Sequence, residues 1–404
     1  MKIPRAIKPL GIGAASLLLL ALVAVVAGYL SAPHFYLTRT IFWGESDYKD
    51  LEKFPARTIH KAPPTFTFDQ LPADNPYASQ IEAIGDDATD GRLEDYLEAS
   101  GTTSFLVVRD DELLYEKYFN GYDKDSLQTS FSMAKSYASA LVGIAIDEEH
   151  IKSVDEPITN YIPELLEKDE RFKSITIRNL LTMSSGIKYE EGGDLPWSED
   201  ADDTKTYYAT DLRELALNCQ IEGEPGEYFE YNNYNPLLVG MIVERATGMP
   251  VSRFLQEQLW KPVGMEADGS WSLDSKKSGF EKMESGVNAR ARDFARFGML
   301  FAKEGRNWEG EQLISRSWVE ESTRADATTD PSLEYQYFWW VDTPGSKNHF
   351  SARGKYGQYI YVAPEKDLVI VRLGKEEGEQ GYDYWISLFE ELSTKLDTSA
   401  KGSH

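Results

Sequence analysis

Cysteine is almost missing: Cys219 is the only one in 404 residues, so no disulfide framework and no thiolate zinc site can be built within the chain. Histidine is scarce as well. His34, His60, His150, His349 and His404 lie far apart, with no HExxH and no close pair, which argues against a histidine-bound catalytic metal. Positive charge is in deficit, 42 Lys plus Arg against 67 Asp plus Glu for a formal charge of −25. Such a surface repels phosphate backbones and excludes nucleic acid as the natural partner. The chain also lacks a GxSxG elbow and any internal repeat, which removes the signature of an α/β-hydrolase serine and of a solenoid. Nothing in it implies a cofactor or a metal.

What is present is the composition of an ordinary globular protein, 41% apolar, 12% aromatic and 27% charged, long enough for one large enzyme fold with two lobes around a cleft. Leu10 to Leu30 carry no charge, about the 20 residues a helix needs to cross a bilayer. Lys2, Arg5 and Lys8 precede this run and Glu45, Asp47 and Asp50 follow it. The pattern predicts a cytoplasmic tail (1–9), a transmembrane anchor (10–31) and a single-pass protein of the cytoplasmic (inner) membrane with its catalytic mass periplasmic. A cleavable signal peptide is the competing reading, with an apolar core of about 7–15 residues, shorter than this one. Residues 32–75, with Pro33, Pro55, Pro63, Pro64 and Pro72, read as a juxtamembrane arm. Residues 76–397 then form the main domain, with a helical lobe about 156–280, and the small polar tail 398–404 is disordered.

Within the domain, residues 105–119 hold two β-rich runs around Asp110-Asp111-Glu112, a hairpin signal. Ser132 to Glu148 has apolar residues at helical spacing and no proline, so it predicts a buried helix. Further helices are expected over 178–183, 212–218, 235–248, 251–260, 291–305 and 382–396, and strands over 335–343, 357–364 and 367–374. Strand pairs at both ends enclosing a helical centre suggest one sheet built from both termini, with an inserted helical lobe.

Three segments carry the chemistry. Ser132-Met133-Ala134-Lys135 is an SxxK pair, whose spacing puts both side chains on one helical face. A serine hydroxyl needs a base, and a lysine supplies one only when neutral. The chain holds two more such pairs, Ser46–Lys49 and Ser185–Lys188, but only Ser132 opens a long apolar helix whose first amides can serve a developing oxyanion. Tyr231-Asn232-Asn233 comes just before another apolar helix. A tyrosine oxygen can relay protons there, and the Asn233 amide can fix the lysine or substrate, or simply cap the helix. Ala352-Arg353-Gly354-Lys355 precedes a strand, where glycine lets backbone approach a ligand and a strand amide can form half an oxyanion hole.

These three elements in this order, together with PGEYFEYNNYNPLLVG, LLTMSSGI and GVNARARDFARFGMLF, resemble the serine β-lactamase and penicillin-binding-protein superfamily. The likeness is to its class C β-lactamase-like branch, which includes esterases and 6-aminohexanoate-dimer hydrolases, and it covers roughly residues 80–395. It implies an α/β plus all-α fold, an antiparallel sheet flanked by helices with an inserted helical lobe, preceded here by the transmembrane helix. Ser132 would be the acylated nucleophile, Lys135 its base and Tyr231 the proton relay, acting on a small ester or linear amide. Asn233, Gly354 and Lys355 would line the substrate and oxyanion side, with the backbone N–H groups of Ser132 and Lys355 as the oxyanion hole. An alternative register of the third segment would put His349-Phe350-Ser351 there. The chosen register places Ala352 where β-lactamases and D-Ala peptidases carry a cation, which tells against β-lactam hydrolysis. The alternative is a non-turnover penicillin or peptidoglycan-peptide binder, or a D-Ala peptidase-like cell-wall protein. A Ser-His hydrolase using His349 is a weaker third.

Overall fold

The computed structural model describes residues 16–23, 36–72, 74–192, 201–325, 331–341 and 348–396. Its larger sheet runs β2 (Asp69–Gln70), β4 (Glu112–Tyr118), β3 (Thr102–Arg109), β12 (Leu368–Gly374), β11 (Gln358–Ala363), β10 (Phe350–Gly354), β9 (Trp339–Val341) and β8 (Tyr335–Gln336). The early hairpin thus docks directly beside the last strand, Val107 opposite Ile370. All pairings are antiparallel except that of β2 with β4. The sheet is therefore mixed, not the antiparallel one expected, because the arm returns to its edge in the same direction as β4. A second sheet joins β1 (Ala56–Ile59), β6 (Gly269–Ser272), β7 (Val287–Ala289) and β5 (Gln128–Thr129).

The large sheet is covered on both faces, and period-two alternation sorts its side chains between them. Leu106 and Val108 of β3, with Val369 and Val371 of β12, join the larger core. Phe105 and Val107, with Leu368 and Ile370, join the smaller one. The smaller core is closed by α1 (Pro76–Thr89), α2 (Leu93–Ala99) and α6 (Gly381–Lys395), which bury Ile81, Leu97, Trp385 and Phe389. Asn75 starts α1 by accepting the Ala78 amide at 2.9 Å, with Pro76 in the first turn. The larger core is built on α3 (Ala134–Asp147), α4 (Tyr234–Thr247) and α5 (Ala291–Ala302). Residues 134–145 are buried on every side of α3, as a helix of small and apolar residues inside a core must be. Tyr137 stacks on Phe297 of α5 at 3.7 Å, which fixes α3 against the helix lying on the sheet.

The anchor expected over 10–31 is corrected. Among the described residues no helix is long and apolar enough to cross a membrane. Of that span only residues 16–23 are described, and they are helical. The rest of the span, the tail 1–9 and the tail 398–404 lie outside the described residues. The inner-membrane, periplasmic placement and the membrane as a partner lose the feature on which they rested. The described part of the arm contacts the domain, although its helix buries none of its residues. Its helix Leu37–Trp43 and the turn Asp50–Glu52 lie against the helix Asp202–Tyr208.

Candidate active site

Ser132 sits in a tight turn, Phe131–Met133, that feeds straight into α3. Phe131 holds φ +45°, a left-handed conformation that non-glycine residues seldom adopt. That strain turns the chain sharply just before the serine. One turn on, Lys135 Nζ lies 3.0 Å from Ser132 Oγ. The lysine is 1% exposed while Ser132 is half-buried, so the pair has one wet end and one dry end. Lys135 also donates to the carbonyl of Glu284 at 3.1 Å, in the loop before β7. The two contacts fix the amine in place.

Tyr231 faces the same amine, with Lys135 Nζ 4.8 Å from its ring centre. Behind it stand Tyr335 and Trp340, the first edge-on at 5.8 Å and the second near parallel at 6.0 Å. Burial pushes the Tyr335 phenol well above the ordinary tyrosine value, so it stays neutral beside Tyr231. The aromatic wall comes from β8 and β9, which the sequence suggested were one strand over 335–343. Tyr337 and Phe338 break it at φ +37° and +65°, and 342–343 lie outside the described residues.

β10 passes the serine turn so closely that a Cβ on Gly354 would overlap the Ser130 carbonyl. Lys355 follows, its side chain exposed and its Nζ 2.8 Å from Ser46 Oγ. The turn after it is held from below. Arg372 donates to the Gly357 carbonyl at 2.7 Å and the Tyr356 carbonyl at 3.3 Å, and only glycine fits at 357, where φ is +74° and a side chain would meet that guanidinium. Ala352 is 1% exposed and faces the core. Arg353 points the other way, its Nε 2.9 Å from Ser351 Oγ and its guanidinium 5.0 Å from the Trp340 ring centre. A cation therefore stands one aromatic ring away from Tyr231.

Other candidates fall elsewhere. Asn233 does not reach Lys135; its amide donates to Tyr189 at 2.9 Å and Thr206 at 3.3 Å. His349 is buried between Glu365, 2.6 Å, and Tyr361, 2.5 Å, at the end of β10 away from Gly354. Five residues of strand put it on the order of 16 Å along the sheet from the serine turn. Ser46 Oγ is bonded by Lys355 and Ser185 is buried against Asn235 at 2.7 Å, so each hydroxyl is bonded to a group other than the lysine three residues on. Burial raises the Cys219 thiol to about 12, which leaves it an unreactive packing group. Among the described residues no group of three His, Cys, Asp or Glu side chains is placed to hold a metal ion. Sequence reasoning missed Glu284, because its contribution is a backbone carbonyl, and the Trp340 and Tyr335 wall, which read as ordinary strand.

Comparison with known proteins identifies the family and the fold. The Beta-lactamase family model matches residues 90–385. The 6-aminohexanoate-dimer hydrolase of Paenarthrobacter ureafaciens is 31% identical over 305 residues, 70% of this chain and 74% of that protein. Among solved structures, a family VIII carboxylesterase superposes with a TM-score of 0.60 at 17% identity, covering 78% of this chain and 97% of its own. A penicillin-binding protein homologue from Caulobacter crescentus gives 0.61 at 14% identity, covering 80% and 98%. At those identities the two structures speak for the fold, a mixed α/β architecture of β-lactamase type. With the family pattern running through most of its length, the chain belongs to the Beta-lactamase family and is a serine hydrolase.

Proposed function

We propose that this hydrolase works through an acyl-enzyme on small esters or linear amides, with Ser132 as nucleophile, Lys135 as base and Tyr231 as proton relay. The observation that carries the reading is the 3.0 Å contact between a buried lysine amine and a half-exposed serine hydroxyl at a helix start. In acylation the Lys135 amine takes the Ser132 proton as Oγ bonds to the acyl carbon. The carbonyl oxygen becomes an oxyanion, stabilised by the backbone N–H groups of Ser132 and Lys355. As the intermediate collapses, the bond to the leaving alcohol or amine breaks and that group takes a proton by way of Tyr231. Water then attacks the acyl-serine with the same groups in reverse, releasing the acid and restoring the hydroxyl. The name of the 31%-identical relative, a hydrolase of a 6-aminohexanoate dimer, supports linear amides as well as esters.

A fluorophosphonate should label Ser132 alone, read by peptide mass spectrometry, and a p-nitrophenyl ester should give a burst followed by steady turnover. Labelling that persists in Ser132→Ala, or that maps to Ser46 or Ser185, would remove this mechanism. A burst with no turnover would favour a penicillin-binding-type captor.

A further inference from the structure

The arm touches the candidate site at two points. On one side the Ser46 hydroxyl takes Lys355 Nζ, and the Ser46 carbonyl takes the Tyr356 hydroxyl. On the other, Phe54 and Asp50 cover a buried cation. Lys282 is 1% exposed, lies 2.6 Å from a Glu284 carboxylate oxygen and 2.5 Å from the Tyr207 carbonyl, and stands 4.5 Å from the Phe54 ring centre and 4.1 Å from that of Tyr207. Asp50 accepts the Tyr207 hydroxyl at 2.7 Å and pairs with Lys53 at 2.8 Å. Glu284 is also the residue whose carbonyl accepts Lys135, and Ser285 Oγ donates to its carboxylate at 2.9 Å. The same residue is thus tied by its side chain to Lys282 and by its carbonyl to the base.

We propose that Lys282 is a positioning residue for Lys135, acting through Glu284, and that the arm residues Phe54 and Asp50 keep that ion pair dry. The inference rests on Lys135 being the base. As packing alone, an apolar pair would fill the same volume without desolvating two charges. Beside the base the pair does more. Its lysine balances the carboxylate carried by the residue that holds Lys135, and its grip stops the carbonyl from drifting.

Burial lowers the Lys282 ammonium from the ordinary lysine value, while Glu284 opposes that change. The groups facing Lys282 are Glu284, Asp50, Arg39 and Tyr207. Those facing Lys135 are Ser132, Tyr231 and Glu284. With the Lys282 cation gone, the buried Glu284 carboxylate loses its opposite charge and the residue whose carbonyl holds Lys135 loses its anchor.

The test uses the full chain, with rates normalised to active sites titrated by fluorophosphonate. In Lys282→Met the acylation burst with p-nitrophenyl acetate at pH 7 should fall at least about tenfold, less than the about 10²-fold expected when a general base is removed outright, with KM nearly unchanged. The rising limb of rate against pH should move by at least about half a pH unit, since a buried charge near the base is removed. Phe54→Leu, which removes the ring over Lys282 but replaces neither member of the pair, should move both in the same direction by less, and Phe54→Tyr should restore them. If Lys282→Met does not fold, Phe54→Leu against Phe54→Tyr carries the decision. A wild-type profile per active site, with only the melting temperature lowered, would overturn the inference while Lys135→Ala remained inactive. A Lys135→Ala protein as fast as wild type would overturn the reading of the site itself, and this inference with it.

Discussion

Gly354 lies against Ser130 with no room for a side chain between them: a Cβ would overlap the Ser130 carbonyl oxygen. The obstacle is backbone, so it cannot rotate away. Gly354→Ala should therefore push β10 off the serine turn and slow acylation at least about tenfold, with a stability loss of about 1–3 kcal/mol typical of overpacking. Fluorophosphonate labelling rates and thermal melts measure the two effects. Wild-type labelling in a folded Gly354→Ala protein would mean that β10 does not form the oxyanion wall.

The base and relay can be separated from the histidine rival by three substitutions. Lys135→Ala should reduce acylation at least about 10²-fold, the scale of a positioned general base, and Tyr231→Phe should slow turnover with the fold intact. His349→Ala should keep most activity, because the ring is committed to Glu365 and Tyr361 at the far end of β10. Near-wild-type rates in the first two would refute the assignment; loss of activity in the third would revive a Ser-His mechanism.

How far these groups were legible in sequence depends on what kind of signal each leaves. Ser132 and Lys135 announce themselves because helical spacing alone puts positions i and i+3 on one face, and the apolar run behind them predicts the burial. The hairpin of β3 and β4 is likewise readable, its turn at Asp110 and Asp111 falling in the left-handed region these residues tolerate. The turn between β8 and β9 gives no such warning, since its left-handed residues are Tyr337 and Phe338. Asn233 could be read as a partner of the lysine or substrate or as a cap; it stands at the N-cap of α4, where its amide bonds Tyr189 and Thr206. The parallel β2 is two residues long, and no local pattern marks an edge pairing made across so much chain. Charge placement is the subtlest. Alternation along β10 points Ala352 and Arg353 to opposite faces, as a strand must, but only the fold shows Trp340 bridging from Arg353 to Tyr231.

That bridge bears on substrate class. Ala352 offers no cation to a substrate carboxylate, and burying an unpaired carboxylate in a cleft costs several kcal/mol. Short-chain p-nitrophenyl esters should therefore exceed nitrocefin in kcat/KM by at least about 10²-fold, which corresponds to a lost ion pair of about 3 kcal/mol. Arg353→Ala should leave ester turnover nearly unchanged. Efficient nitrocefin turnover that disappears in Arg353→Ala would assign the missing cation to Arg353 instead.

Stability should carry its own pH signature from Asp293, a fully buried carboxyl of α5. Burial raises it from 3.8 to about 6, even though Arg296 lies 3.2 Å away. The arginine cannot cancel the desolvation because its charge is shared with Glu266 at 2.9 Å and the Phe66 carbonyl, and one Asp293 oxygen has no hydrogen-bond partner. A carboxyl whose value is higher folded than unfolded favours the native state below the unfolded value and loses that contribution as pH rises through the folded one. The loss should fall between about pH 4 and 6 and reach about 3 kcal/mol, two pH units at about 1.4 kcal/mol each. Asp293→Asn can still accept the Glu266 amide but does not ionise. Thermal or denaturant melts at pH 4 and pH 7 should show the wild type losing ground to the variant as pH rises, by an amount approaching that figure. A difference between the two proteins that stays constant across this range would show that Asp293 is ionised throughout, its charge fully balanced by Arg296.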